Sequence, residues 1–372
     1  MILKEFRLHH LLNFLNSWNG ALDLAMSEYF RSHKSIGSKD RAEISEAVYF
    51  LIRWKRLIDY KLKNPDWDKR VQLINTVDLK KITEDISIPE PIRASFPDEL
   101  YETLKKSFGD KTFEIALNLN EKAPTFLRFN PLKTDRNSLI QELKAFEPEK
   151  TKHSPLGILL RKKGALFGLD SFKNGMFEIQ DEASQLVALK VKAKPGDRVL
   201  DYCAGAGGKT LAFAPQMKGK GQIYLHDIRK GILFQAKKRL KRAGIQNAQI
   251  MHFSEEAKLN KLNGFFDWIL VDAPCSGSGT YRRNPDMKDK FTLDMLDRLV
   301  MEQRFIFEKA LSLLKPDGTI VYSTCSLFNE ENQNQVDYFL ENHGLVLAEP
   351  PFQTIPEKGE MDGLFAAVFK RG

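Results

Sequence analysis

The residues best suited to covalent chemistry are Cys203, Cys275 and Cys325, the three cysteines of the 372-residue chain. Each follows a short apolar run that reads as a buried strand: Val199-Leu200-Asp201-Tyr202, then Ile269-Leu270-Val271-Asp272-Ala273-Pro274, then Val321-Tyr322-Ser323-Thr324. A thiolate is a strong nucleophile and a soft metal ligand. The metal role lacks support, because no C-x-x-C pair and no Cys/His cluster has zinc-ligand spacing. No metal is expected. A lone cysteine at a strand end is ordinarily a small buried apolar residue. Two of them on adjacent strands, with Asp272, would put two thiols and a carboxylate into one crevice at the carboxyl edge of a sheet, where open α/β folds bind ligands.

Cys203 opens a glycine-rich turn, Cys203-Ala204-Gly205-Ala206-Gly207-Gly208-Lys209-Thr210, between a strand and a helix. Glycines let backbone approach a ligand closely, and a helix start offers free N–H groups. The spacing is not that of a phosphate-binding P-loop, because Gly205 lies too near Gly208-Lys209-Thr210. A tight turn packing helix on strand would look the same. Asp227 closes the next strand, where an acid can accept hydrogen bonds from a ribose diol, so turn and acid together point to a nucleoside cofactor.

These motifs need a parallel sheet to hold them. From about Gln180 the chain alternates strands with helices, the signature of such a sheet wrapped by helices. The strands are expected at 198–204, 222–227, 248–253, 266–272, 319–323, 345–349 and 364–369, the last pairing antiparallel at or near an edge. Before this, residues 119–179 read as a small α+β connector, with strands at 125–129 and 157–161 and a helix at 136–146. Residues 1–118 read as helical: Ile44, Ala47, Val48, Leu51, Ile52 and Ile58 recur at helical spacing over 39–62, behind Ser38 as N-cap. A further helix spans 98–108 and ends at Gly109. The third domain is then 180–372.

Composition adds bounds. A net charge of +8 suits a polyanionic partner without requiring one. Few cysteines, no signal-peptide pattern and no apolar run near the roughly 18 residues of a membrane span predict a cytoplasmic protein without membrane contact. A monomer is expected.

The motifs resemble those of the Nol/Nop/Sun family of RNA 5-methylcytosine methyltransferases, in its bacterial Sun-type ribosomal RNA branch. The resemblance is carried by Asp272-Ala273-Pro274-Cys275-Ser276-Gly277 with Arg282-Arg283-Asn284-Pro285-Asp286 behind it, and by Ser323-Thr324-Cys325-Ser326 followed by Glu330-Glu331-Asn332. Leu127-Arg128-Phe129-Asn130-Pro131, Gln180-Asp181-Glu182-Ala183-Ser184-Gln185 and Asp362-Gly363-Leu364-Phe365 also look like family signatures. Asp40-Arg41 and the helix through Arg53-Trp54 resemble a NusB-like RNA-binding domain. The resemblance implies a Rossmann-like class I methyltransferase domain with a seven-stranded sheet, preceded by an all-α NusB-like domain and the α+β connector. It implies S-adenosylmethionine held by Cys203, Ala204, Gly205, Ala206, Gly207, Gly208, Lys209, Asp227 and Asp272. It also implies a cytosine held by Asp272, attack by Cys325, product release assisted by Cys275, and RNA, ribosomal by branch, as the partner.

The chemistry requires these residue types. Carbon 5 of cytosine is too weak a nucleophile to take a methyl group unaided; thiolate addition at carbon 6 supplies the electron density. The attacking thiol then needs electropositive surroundings, with Arg282, Arg283 and Lys209 the nearest candidates by motif. Arg282 and Arg283 are also expected to contact RNA phosphates. The sequence departs from the family pattern twice. Ala206 replaces a proline of the cofactor turn, which should loosen it, and the acid usual after the third strand is absent, with Phe253 and Ser254 near its place. Two rivals stand beside this reading: a DNA cytosine-5 methyltransferase using the Pro274-Cys275 pair, and an inactive RNA-binding assembly factor. The basic run Lys237, Lys238, Arg239, Lys241 and Arg242 reads as a solvated helix face. Arg161-Lys162-Lys163 is the better RNA candidate, and Phe265, Phe266 and Trp268 read as core.

Overall fold

The computed structural model describes residues 4–74, 76–252, 256–259 and 261–372. They form two compact units, one of residues 1–122 with 280–293, the other of residues 123–279 with 294–372. This divides the chain differently from the expected boundaries at 118/119 and 179/180. The connector clusters with the C-terminal part, and a fourteen-residue segment behind Cys275 clusters with the N-terminal helices.

The larger unit contains two sheets. The smaller sheet has four antiparallel strands, β1 (Thr125–Phe129), β2 (Pro148–Lys150), β3 (Gly157–Leu160) and β4 (Phe177–Ile179), in the order β2-β3-β1-β4. Side chains tie it to the larger sheet's elements. Arg128, 1% exposed, donates to Gln180 Oε1 at 2.7 Å and to the Leu211 carbonyl at 2.8 Å. Asn130 donates to the Gly175 and Ala243 carbonyls, both at 2.9 Å. Buried groups of this kind are costly unless fully bonded, which is why the connector clusters with the neighbouring sheet.

The larger sheet contains β5 (Arg198–Asp201), β6 (Gln222–Asp227), β7 (Ala248–His252), β8 (Phe266–Asp272), β9 (Leu314–Thr324), β10 (Leu345–Leu347), β11 (Phe352–Gln353) and β12 (Phe365–Arg371). Its order is β10-β12-β9-β8-β5-β6-β7, with β11 paired to β12. All seven expected strands are present, and the short β11 makes the sheet eight-stranded. Strands β5 to β9 pair in parallel, whereas β12 runs antiparallel between β9 and β10. Alternate residues bury on opposite faces: Leu200, Ile269, Val271, Ile320 and Tyr322 pack on one, Val199, Leu270 and Val321 on the other. Burial on both faces explains the near-continuous apolar runs. The order reverses between β5 and β8, so β5 enters the glycine-rich turn at the switch point, where the crevice opens.

The helical unit includes helices Glu5–Ser17, Leu22–Ser32, Ser38–Arg53, Lys55–Tyr60 and Asp98–Phe108. The helix expected over 39–62 breaks at Trp54, and its N-cap is Gly37, not Ser38. The segment 280–293 is held here by its own side chains. Tyr281 is fully buried with its ring 6.4 Å from that of Phe96, and Asp286 lies 3.4 Å from the Leu22 amide. Among the described residues no helix is long and apolar enough to cross a membrane.

Candidate active site

Four strands deliver the candidate residues to one edge. β5 leads into the turn 203–209, β6 ends on Asp227, β8 ends on Asp272, and β9 runs into Cys325. A cleft of about 830 Å³ opens at this edge, lined by Asp201, Cys203, Ala204, Gly205, Ala206, Gly208, Lys209, Asp227, Asp272 and Pro274 among others. Gly207, also expected there, is buried beneath the turn with a φ of +73°, a conformation that favours glycine.

Asp227 is 4% exposed. One carboxylate oxygen accepts the Gly205 amide at 2.9 Å, and both oxygens accept the Arg229 guanidinium. Burial pushes this carboxyl up, but the Arg229 and Gly205 bonds outweigh it and hold the group below the ordinary carboxylate range. The acid therefore shapes the turn as well as facing the cleft.

Asp272 receives the Lys209 ammonium at 2.5 Å and the Ser323 hydroxyl at 3.0 Å. Burial pulls Lys209 down, yet the Asp272 charge and hydrogen bond raise it above the ordinary lysine value, and a negative charge on Cys325 would act in the same direction. Lys209 is thus a cation close enough for its charge to act on Cys325. The two candidate thiols stand together, Cys275 Sγ 3.4 Å from Cys325 Sγ. The shared hydrogen bond and burial push the Cys275 thiol well above its ordinary value. Cys203 has no thiol partner in this group, and burial raises it strongly. The turn after Cys275 closes on the same edge: the Gly279 amide donates to the Cys325 carbonyl and the Gly363 amide to the Gly279 carbonyl, both at 3.0 Å. A Cβ on Gly279 would lie 2.0 Å from the Gly363 carbonyl oxygen, so two glycines are required for this approach.

Models of known families match two stretches: "16S rRNA methyltransferase RsmB/F" over residues 188–370, and the RsmF/B-like ferredoxin-like domain over residues 96–166. A probable ribosomal RNA small subunit methyltransferase B from Synechocystis sp. is 33% identical over 279 residues, 74% of this chain and 62% of that one. The protein of the same description from Bacillus subtilis is 35% identical over 267 residues, 69% of this chain and 59% of that one. The chain belongs to the Nol/Nop/Sun methyltransferase family. It matches about three-fifths of the length of these curated relatives. Among solved structures, a methyltransferase homolog from Pyrococcus horikoshii is 27% identical with a TM-score of 0.68, over 76% of this chain and 98% of that one. The Rossmann-like class I core behind a mostly helical region is the fold of this family.

The cleft fits S-adenosylmethionine, the family's cofactor, on an observation of its own. Asp201 is 1% exposed, and Thr210 occupies only one of its oxygens, at 2.6 Å. The other oxygen is buried with no partner, as is Nε2 of His226, which also lines the cleft. Burial raises the Asp201 carboxyl to about 7. An unsatisfied buried acceptor suits a cationic, hydrogen-bonding ligand such as the ammonium of a methionine moiety. Sequence reasoning missed Asp201, taking it for a strand residue; its signal was an acid inside an otherwise apolar run.

Several expectations need correction. Arg282 has no exposed surface and its carbonyl accepts Arg53 at 3.0 Å, so it is not available to phosphate; Arg283 is partly exposed. Asp40-Arg41 and Arg53 act inside the helical unit: Asp40 accepts Arg7 at 2.6 Å, Arg41 donates to the Ile36 carbonyl at 2.8 Å, and Arg53 is 9% exposed. The basic run is not wholly a solvated face, since Arg239 and Arg242 pair with buried Glu178 at 3.0 and 2.5 Å. Arg239 also donates to the Ala206 carbonyl at 2.9 Å, so the turn that lacks proline is pinned by a side chain instead. Arg161 and Lys162 pair with Glu149 and Glu147 on the connector. Phe266 packs in the core. Phe253 and Ser254 lie outside the described residues.

Proposed function

We propose that this chain transfers a methyl group from S-adenosylmethionine to carbon 5 of a cytidine in RNA, through a covalent cysteine–cytosine adduct. Ribosomal RNA is the substrate class, as in the names of the curated relatives. The observation that carries the reading is two thiols 3.4 Å apart on the sheet edge that also presents Asp272.

When bound, the cofactor supplies an electrophilic methyl group. Asp272, held by Lys209 and Ser323, presents its carboxylate to the ring edge of the base and orients it, and the Lys209 ammonium beside it stabilises the negative charge that develops there. Cys325 Sγ adds to carbon 6, and the electron pair displaced from the ring double bond makes carbon 5 nucleophilic. After methylation a base takes the carbon 5 proton and the Cys325 thiolate leaves. Cys275, kept as a thiol by its raised pKa, donates its S–H to the departing thiolate across the 3.4 Å gap. A cytosine must be unstacked for carbon 6 to be reached, so single-stranded or loop RNA is the cheaper target. Arg283 is the remaining phosphate contact proposed from the motif.

The test runs Cys325→Ala and Cys275→Ala with RNA and labelled cofactor. Cys325→Ala abolishes both methyl transfer and adduct. Cys275→Ala attacks and methylates, then stalls as an adduct that survives denaturing electrophoresis. A stable adduct from Cys325→Ala, with none from Cys275→Ala, reverses the assignment and favours the DNA-type mechanism. Absence of labelled transfer to any RNA by the unmodified protein favours the assembly factor.

A further inference from the structure

The two thiols face each other at 3.4 Å, and the residues beside them are clamped. On the Cys275 side, the Ser276 amide and hydroxyl donate to the two carboxylate oxygens of Glu331 at 2.8 and 2.5 Å. Gln303 donates both to the Pro274 carbonyl and to Glu331, each at 2.9 Å. On the Cys325 side, the Thr324 hydroxyl donates to Asn332 Oδ1 at 2.6 Å, and Asn332 Nδ2 donates to the Ser326 carbonyl at 2.9 Å. One dipeptide therefore grips the residue after one thiol and the residues on both sides of the other. Glu331, Asn332 and Gln303 are all at most 1% exposed, so none of them has an exposed face with which to meet RNA.

We propose that Glu331 and Asn332 are positioning residues that set the separation of Cys275 and Cys325, and so the timing of release after methyl transfer. This rests on the reading that both thiols act on one base. The physical case is that a buried carboxylate with no cation against it is expensive to keep, and burial does raise this one. Its cost is offset by hydrogen bonds from the Ser276 amide and hydroxyl, next to Cys275, and from the side chains of Gln303 and Ser326, the latter next to Cys325. Misplacing a reacting group by about 1 Å can cost roughly a hundredfold in rate, so a device that fixes two sulfurs relative to each other has a large effect to exert.

The probe is phenylarsine oxide, which forms two As–S bonds to a pair of close thiols and releases water, and needs no RNA. Glu331→Ala and Asn332→Asp are expected to weaken its capture at least tenfold and to lower kcat at least tenfold, with the cofactor KM within twofold of wild type. In Asn332→Asp a carboxylate oxygen would face the Ser326 carbonyl, breaking that arm while preserving volume. Glu331→Gln keeps an acceptor for the Ser276 amide and should restore capture and kcat to within threefold of wild type. If Glu331→Ala loses cofactor binding through misfolding, Asn332→Asp and Ser276→Ala decide the matter. Wild-type capture in the variants that bind cofactor overturns the proposal, as does a loss in Glu331→Gln equal to that in Glu331→Ala. If capture falls as expected but no protein forms an RNA adduct, the clamp stands and the catalytic reading fails.

Discussion

Lys209 in the larger unit keeps 12% of its side chain exposed and Lys288 in the helical unit is buried, and loss of water acts on both to strip the proton. They respond in opposite ways. Lys209 meets a carboxylate at 2.5 Å and is raised. Lys288, 2% exposed, donates to the Arg53 carbonyl at 2.8 Å, the Ser95 carbonyl at 3.0 Å and Asn120 Oδ1 at 2.7 Å, and stands 4.6 Å above the Phe96 ring. Burial pulls it to about 7, and Asp289 offsets only part of this. Neutral oxygens satisfy the hydrogen bonds of an ammonium without neutralising its charge; a carboxylate does both. The larger unit thus keeps a fixed cation beside Asp272 and the proposed reacting groups, whereas the helical unit uses a lysine to fasten the segment 280–293.

The comparison can be broken most directly at Lys209. Lys209→Met should lower methyl transfer by about 10²–10³-fold, the scale for losing one charge-stabilising group in a closed site. Labelled-methyl incorporation measures it, and a loss under tenfold would mean that Asp272 does not depend on its cation. At Lys288 the expected effect is on stability. Below pH 7 the folded and unfolded chains both hold this lysine protonated; between about 7 and the ordinary lysine value near 10.5 only the unfolded chain does. Raising the pH through that window therefore favours the fold, by up to about 1.4 kcal/mol per pH unit. Urea unfolding of Lys288→Met across the window should lose that slope, and an unchanged slope would assign it to other groups.

Asp201 gives a third contrast, an acid raised by the same burial. A cationic ligand favours its ionised form, so cofactor affinity should rise by up to about tenfold per pH unit below 7 and level off above it. Calorimetry on Asp201→Asn should give a flat profile; a wild-type profile would remove the residue from the site. The smallest effect is expected from Arg239→Ala, which frees the Ala206 carbonyl. Cofactor affinity should fall by about 1 kcal/mol, the scale of one hydrogen bond, while Asp227→Ala should exceed it by also releasing the Gly205 amide. Equal losses would show that the turn is held at one point only.

What the sequence disclosed follows the same division. The parallel strands were legible because burial on both faces leaves continuous apolar runs, and β6 and β8 fall on the expected residues. β9 begins earlier than expected, at Leu314, because Lys315-Pro316-Asp317-Gly318 reads as a turn but is carried as an irregularity between the Phe266 and Trp268 pairings. β4 was missed because it is three residues long and buries a glutamate, whose arginine partners lie more than sixty positions away. The cysteines, Asp272 and the glycine-rich turn were found because their types are tied to chemistry. The burial of Arg282 was not, since a motif gives order along the chain and no depth. For the same reason Glu331 and Asn332 read as a signature without a task.

The detour of residues 280–293 carries a consequence for synthesis. The helices before Lys122 leave the ribosome ahead of Lys288, Tyr281 and Phe291, buried residues of the same compact unit, which follow much later. About 160 residues separate Lys122 from Thr280, roughly ten to thirty seconds of translation at common rates. For that interval the nascent helices hold Ser95, Asn120 and the Arg53 carbonyl without the ammonium that satisfies them. A polypeptide arrested anywhere in between exposes an incomplete helical core, so these helices, though made before the segment that completes them, are finished only after it.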